Sequence, residues 1–186
     1  MLTKLRKAVS PYLDKVALAA ASLGLSPNQI TALSFAVVLA ASYFYLTKDL
    51  VLASALLLLS GFLDILDGAV ARLTGKASLR GGVLDSVIDR CSDALVLAVI
   101  ALAGYCSLAL GFYALAASFL VSYLRARGEA AGVKMEGVGF FERAERLLTL
   151  SIAGFFNYLW LGVLVVAILS TLTVLQRFHH LWTSLS

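Results

Sequence analysis

The chain has 186 residues, of which 61% are hydrophobic and 14% are charged, and its mean hydropathy is +0.93. Soluble domains carry about 25% charged residues, so this composition excludes an ordinary soluble domain and indicates an integral membrane protein. The net charge of +4 indicates basic cytoplasmic loops rather than a nucleic-acid partner. The two cysteines, Cys91 and Cys106, form no zinc-binding or disulfide pattern.

Residues 1–25 predict a helix at the membrane surface. Basic residues precede an apolar run there, as in a signal peptide, but Pro11, Asp14 and Lys15 interrupt the order that such peptides need. The stretch 3–23 is therefore interpreted as an amphipathic helix that lies in the interface.

Residues 26–180 predict a bundle of six transmembrane helices. Ser26 followed by Pro27 is a helix start signal. Apolar runs place the first four spans at about 29–47, 50–73, 83–105 and 108–123, with a connecting loop at 74–82. A charged stretch at 125–146 precedes an apolar run of about 32 residues, 147–178. We divide that run near Asn157 and let the fifth span take its first turns from the charged stretch.

The basic residues predict the orientation. With six spans both termini lie on one side, and the loops of that side hold most of the Lys and Arg residues, whereas the opposite loops hold only Lys48. This asymmetry predicts cytoplasmic termini in a multi-pass protein of the cell membrane, with the acidic ends of the second and third spans facing the cytoplasm.

Four aspartates lie inside these apolar spans. Asp64 and Asp67 are spaced i,i+3, and Asp85 and Asp89 are spaced i,i+4, so each pair lies on one helix face. A carboxylate in hydrocarbon costs about 2.5–3.5 kcal/mol. The short loop makes the two helices antiparallel neighbours, so the pairs are expected to meet at one depth.

Converging carboxylates require neutralisation by a cation. Mg²⁺ prefers oxygen ligands and is often held by a few carboxylates together with substrate phosphates, and two such ions can clamp a phosphorus centre during displacement. Nearby small residues leave room for a ligand, and Arg72 could bind a phosphate. The carboxylates, a bound metal, the small residues and Arg72 together predict a phosphoryl-transfer site. The small residues are Gly68, Ala71, Gly75, Gly81 and Gly82.

Two other interpretations of the aspartates stay open at this point. They could pair with Arg72, Arg80 and Arg90 and simply end helices at the interface. They could also form the ion site of a cation transporter or channel, although the absence of acids at the midplane of another span disfavours an ion pathway.

The spacing of these residues resembles the signature of the CDP-alcohol phosphotransferase family. Eight positions match it: Asp64, Asp67, Gly68, Ala71, Arg72, Gly81, Asp85 and Asp89. The sequence "SPNQIT" at residues 26–31 is also similar to this family, as are the six spans and the surface helix.

The resemblance implies roles for these residues. Asp64, Asp67 and Asp85 would bind one divalent ion, Mg²⁺ or Mn²⁺, and Asp89 would bind a second ion and act as general base. The CDP group would lie among Asp64, Gly68, Ala71, Arg72, Gly81 and Asp85. The acceptor hydroxyl would then attack the phosphorus of a CDP-lipid, either CDP-diacylglycerol or CDP-archaeol, with CMP leaving. The family also implies a homodimer.

Further arginines indicate the acceptor. The segments "SYLRARGEAAG", "ERAERL" and "LQRFHH" resemble the branch of the family that uses inositol phosphate, although Ala144 replaces an expected proline. In that branch basic residues bind the acceptor phosphate, which implies this role for Arg125, Arg127, Arg143, Arg146 and Arg177. A glycerol-phosphate acceptor is the second choice, and positive-inside bias could also explain the cluster. Asp93, one turn beyond Asp89, is expected to pair with an arginine or to orient a ligand.

Overall fold

A computed structural model describes the backbone of residues 2–185 and the side chains of residues 12–185. That part of the chain contains helices and connecting turns but no strand, which confirms the all-helical prediction. The basic side chains predicted for the surface helix at positions 4, 6 and 7 lie outside the described residues. The seven helices are α1 (Leu2–Ser22), α2 (Pro27–Leu46), α3 (Leu50–Leu73), α4 (Leu79–Leu102), α5 (Leu108–Ala130), α6 (Arg143–Phe155) and α7 (Leu159–Ser184).

Local capping interactions explain where α2 begins. The Ser26 hydroxyl accepts a hydrogen bond from the Gln29 backbone N–H, and the Gln29 side chain accepts one from the Ser26 N–H at 2.8 Å. This reciprocal pair is a capping box, and Pro27 stands at the first helical position, where its missing N–H costs nothing. The predicted start of the first span is therefore confirmed.

The turn between α3 and α4 is shorter than predicted. The sequence indicated a loop at 74–82, but α4 already begins at Leu79, because the Ser78 hydroxyl caps it by accepting from the Gly81 N–H at 3.1 Å. Gly81 and Gly82 therefore lie in the first helical turn. Ser78, three residues before Gly81, is the local signal for the start of the helix.

Four helices are long and apolar enough to cross a membrane within the described part of the chain: α2, α3, α5 and α7. The protein is therefore an integral membrane protein. The division predicted near Asn157 is confirmed, since Asn157 has a φ of +60° between α6 and α7. However, α6 has 13 residues and is about 20 Å long, less than the roughly 30 Å of a bilayer core.

The core lies between the long helices, and a second apolar cluster holds the surface helix in place. Val38, Leu57 and Val163 are fully buried in the core. In the second cluster, Ala17 of α1 packs with Val70 near the end of α3. Tyr12, Val16 and Leu18 on other faces of α1 are exposed, which suits a helix between the bundle and lipid. The aspartates of α3 and α4 lie at this end of the bundle.

Candidate active site

Three of the four signature aspartates converge in the structure. Asp64 and Asp67 of α3 and Asp85 of α4 each place a carboxylate oxygen so that all three atoms lie within 4.8 Å of one another. The i,i+3 spacing on α3 and the tight turn into α4 bring these groups together, as the sequence predicted.

The fourth aspartate is joined to this group by an arginine. Arg143 Nη1 lies 2.8 Å from Asp64 Oδ1 and 2.8 Å from Asp89 Oδ1. Arg90 Nη1 lies 3.3 Å from the other oxygen of Asp89. Asp89 therefore lies beside the three-carboxylate cluster and faces guanidinium groups from two helices.

The packing of α6 against α3 explains how Arg143 reaches Asp64. A Cβ on Gly61 of α3 would lie 3.3 Å from Leu147, and Gly154 near the end of α6 has no room for a Cβ beside Ser54 near the start of α3. The two helices therefore run antiparallel in close contact. This register places the first turn of α6 beside the acidic end of α3.

A hydroxyl from a third helix fixes Asp67. Thr31 Oγ1 donates to Asp67 Oδ2 at 2.5 Å, and both side chains are buried. No local pattern in the sequence assigns a role to Thr31 itself, although it is the last residue of the "SPNQIT" segment. The hydrogen bond from Thr31 to Asp67 forms only because tertiary packing brings α2 against α3.

The carboxylate cluster fits a divalent cation. Asp85 Oδ1 is buried without a hydrogen-bond partner, an arrangement that is costly unless a cation compensates it. Opposite ligands of an octahedral Mg²⁺ lie about 4.2 Å apart, close to the observed limit. Three carboxylates form the hard, oxygen-only ligand set that Mg²⁺ and Mn²⁺ prefer.

The signature glycines border this cluster closely. A Cβ on Gly68 would lie 3.3 Å from Arg72 Nη1, and a Cβ on Gly81 would lie 3.3 Å from Asn28 Oδ1. Arg72 itself is exposed near the end of α3, and Ala71 is partly buried. An alanine at either glycine would therefore require these polar side chains to shift by about a few tenths of an ångström.

Arg143 and Arg146 share a buried partner. Arg146 Nη2 lies 2.6 Å from Asp93 Oδ2, and Arg143 Nε lies 3.5 Å from Asp93 Oδ1. Asp93 and Arg146 are only 6% and 3% exposed. The prediction that Asp93 pairs with an arginine is confirmed.

The other three predicted arginines lie in different surroundings. Arg177 is buried, and its Nε, Nη1 and Nη2 donate to the Val138 carbonyl, the Val121 carbonyl and Glu142 Oε1. Arg125 lies 3.0 Å from Glu129 and 4.0 Å from Glu142. Arg127 is exposed. The structure thus brings Arg143 to the carboxylates, with Arg146 joined to it through Asp93, whereas Arg177 orders the segment before α6.

The sequence model of the CDP-alcohol phosphatidyltransferase family matches residues 24–182. The chain belongs to this family. It is therefore a transferase of phospholipid biosynthesis that moves a lipid-bearing phosphate from a CDP-lipid to an alcohol, which confirms the reaction predicted from the signature. Family membership also sets aside the transporter interpretation of the aspartates and supports dependence on a divalent metal.

Several relatives match this CDP-alcohol phosphatidyltransferase along most of its length. The archaetidylinositol phosphate synthase of Pyrococcus horikoshii is 45% identical over 180 residues, which cover 97% of this chain and 96% of the relative. The phosphatidylinositol phosphate synthase of Mycobacterium tuberculosis is 32% identical over 186 residues, which cover 87% and 82% of the two chains.

Solved structures of the Mycobacterium tuberculosis phosphatidylinositol phosphate synthase have the same fold. The structure with CDP-DAG bound gives a TM-score of 0.80 at 29% identity and covers 92% of this chain and 94% of that chain. The structure in complex with manganese and citrate gives a TM-score of 0.81 at 28% identity and covers 92% and 89%.

Proposed function

We propose that this CDP-alcohol phosphatidyltransferase uses myo-inositol phosphate as its acceptor and releases CMP. The donor is CDP-diacylglycerol or CDP-archaeol, so the product carries a phosphatidyl or an archaetidyl group. The observation that carries this proposal is the position of Arg143, whose guanidinium lies 2.8 Å from both Asp64 and Asp89. A phosphate held there would place an acceptor hydroxyl beside the carboxylates. The inositol-phosphate synthases among the relatives support the same acceptor.

The carboxylates have the roles that the signature implies. Asp64, Asp67 and Asp85 hold one divalent ion, and Asp89 contributes to a second. Bound Mg²⁺ or Mn²⁺ supplies positive charge to the pyrophosphate of the donor. Asp89 accepts the proton of the attacking hydroxyl, since an alcohol needs a base near neutral pH.

The CDP group binds beside the same carboxylates. Gly68 and Gly81 keep the backbone accessible, Ala71 keeps the facing surface small, and the exposed Arg72 can donate to a phosphate oxygen. Asp64 and Asp85 face this group as well as the metal. The steric limits at the two glycines support the assignment.

The acceptor phosphate binds to arginines from three helices. Arg143 and Arg146 come from the first turn of α6, Arg125 and Arg127 from the end of α5, and Arg177 from α7. Three of the five N–H groups of Arg177 have partners, which leaves two for a phosphate.

The proposed arrangement in the membrane has six spans, with α4 and the shorter α6 completing the bundle at 26–180 and with residues 1–25 at the surface. Both termini and the active site face the cytoplasm, as the basic loops predict. The enzyme works in the cell membrane as a homodimer.

Acceptor competition tests the proposal. The purified chain receives a CDP-lipid, Mg²⁺ and an equimolar mixture of myo-inositol phosphate, glycerol phosphate and serine, and the lipid products are quantified by mass spectrometry. The inositol phosphate product should dominate and should decrease strongly in Arg143→Gln. A dominant glycerol phosphate product would favour the second acceptor, and a dominant serine product would refute a phosphorylated acceptor.

A further inference from the structure

We infer that Asp93 is a positioning residue that holds Arg143 and Arg146 in the orientation that binds the acceptor phosphate. This inference rests on the proposed function. Asp93 lies outside the eight-residue signature, and none of the chemical steps above uses it. It is nevertheless a buried carboxylate on the same face of α4 as Asp89, one helical turn away.

The geometry gives Asp93 two separate contacts. One oxygen, Oδ2, lies 2.6 Å from Arg146 Nη2, and the other, Oδ1, lies 3.5 Å from Arg143 Nε. The two arginines are spaced i,i+3 on the first turn of α6, so one carboxylate can reach both. Arg143 also contacts Asp64 and Asp89 at 2.8 Å, so Asp93 is the third carboxylate around its guanidinium.

The Nε edge of Arg143 faces Asp93 at an ionic distance of 3.5 Å, although Nε makes no hydrogen bond. With Nε facing Asp93, the opposite edge of the planar guanidinium places Nη1 against Asp64 and Asp89. Asp93 and the proposed general base Asp89 both belong to α4. The position of Asp93 therefore helps to set the distance between Arg143 and Asp89. An alcohol must lie within hydrogen-bond reach of its base, so this distance controls whether the bound acceptor can react.

Burial argues that the group has a function beyond packing. Asp93 and Arg146 are 6% and 3% exposed, and a buried ion pair adds little net stability compared with apolar residues of similar volume. The alternative is that Asp93 only neutralises the buried charge of Arg146. The two roles differ in one respect: neutralisation needs only a negative charge, whereas positioning needs that charge at one place.

Two substitutions separate these roles. Asp93→Asn keeps the shape but removes the charge, and Asp93→Glu keeps the charge but moves it by one methylene group. Asp49→Asn serves as the matched control, because Asp49 is an exposed helix cap far from the cluster in sequence and asparagine caps equally well. Each variant of the full chain is purified in detergent, and its thermal unfolding midpoint is measured.

Two affinities are then measured for each variant. These are the Kd of labelled myo-inositol phosphate by equilibrium dialysis with Mg²⁺, and the KM of CDP-diacylglycerol from CMP release. In Asp93→Asn the acceptor Kd should rise about 10–100-fold, the size of effect seen when a residue that orients a metal ligand is removed. The donor KM should change less than threefold. Asp93→Glu should also weaken acceptor binding at least threefold while its unfolding midpoint stays near that of the wild type.

The outcomes distinguish this inference from the proposed function. Wild-type acceptor affinity in Asp93→Glu would overturn the positioning role, because charge alone would then suffice. If Asp93→Asn does not fold, Asp93→Glu still decides the question. A wild-type protein that neither binds inositol phosphate nor releases CMP with it would refute the proposed acceptor, and the positioning role would fail with it.

Discussion

The hydrogen bond from Thr31 to Asp67 makes a quantitative prediction about metal binding. Replacing Thr31 by valine keeps the branched shape but removes the 2.5 Å donor to Asp67 Oδ2. A hydrogen bond to a charged group contributes about 1.5–3 kcal/mol, and a factor of ten in affinity corresponds to about 1.4 kcal/mol. The valine variant should therefore bind the divalent ion about 10–100-fold more weakly, as is typical when a partner of a metal ligand is removed.

The assay is a titration of the detergent-purified protein with Mn²⁺, followed by the loss of the free-ion electron paramagnetic resonance signal. Ser34→Ala is the matched control. Ser34 lies on the same buried face of α2 and donates to the Ser60 carbonyl of α3 at 3.0 Å, without touching a carboxylate. The Ser34→Ala variant should lower the unfolding midpoint by a few degrees and leave the Mn²⁺ affinity unchanged.

A Thr31→Val protein that binds Mn²⁺ with wild-type affinity would refute this reasoning. Asp67 would then hold the ion equally well without the hydrogen bond from Thr31. An equal loss of affinity in Thr31→Val and Ser34→Ala would also contradict it, because the effect would then come from general loosening between α2 and α3.

Three further predictions concern the donor, the fold and the chemical step. Gly81→Ala should raise the KM of the CDP-lipid in CMP-release assays, because the new Cβ occupies space at the proposed CDP site and lies 3.2 Å from Ser78 Oγ and 3.3 Å from Asn28 Oδ1, whereas Gly82→Ala has nothing within 4 Å of its Cβ and should behave as wild type. Arg177→Met should lower the thermal unfolding midpoint, since it removes the donor to the Val138 carbonyl, which lies outside the helices, at roughly 1–3 kcal/mol; an unchanged midpoint would contradict this. Asp89→Asn should reduce CMP release by about 10²–10⁴-fold without lowering the midpoint, and retained activity would exclude it as the base.

Local signals in the sequence were sufficient for much of the fold. The capping residues Ser26 and Pro27 and the break at Asn157 act within a few residues of themselves, so they identify helix ends without any tertiary information. Asp64 and Asp67 face Asp85 because their i,i+3 spacing places them on one side of α3 and a short turn joins α3 to α4. The start of α4 lies before the end of the predicted loop because the Ser78 hydroxyl caps the helix.

The contacts between distant segments could not be predicted in the same way. Arg143 meets Asp64 because small residues at Gly61 and Gly154 allow α6 to approach α3 in one register, and no local pattern states that register. The hydroxyl of Thr31 reaches Asp67 for a similar reason. The sequence did identify these arginines as a group, but it could not show that three of the donors of Arg177 bind residues of the fold.

The identity of the lipid product tests the central claim most directly. The wild-type chain is incubated with a CDP-lipid, myo-inositol phosphate and Mg²⁺, and CMP and the lipid product are measured together by mass spectrometry. Equal amounts of CMP and of a lipid that carries inositol phosphate should form, and neither should form when the metal is chelated. CMP release that does not depend on inositol phosphate, or product formation without a divalent metal, would contradict the central claim.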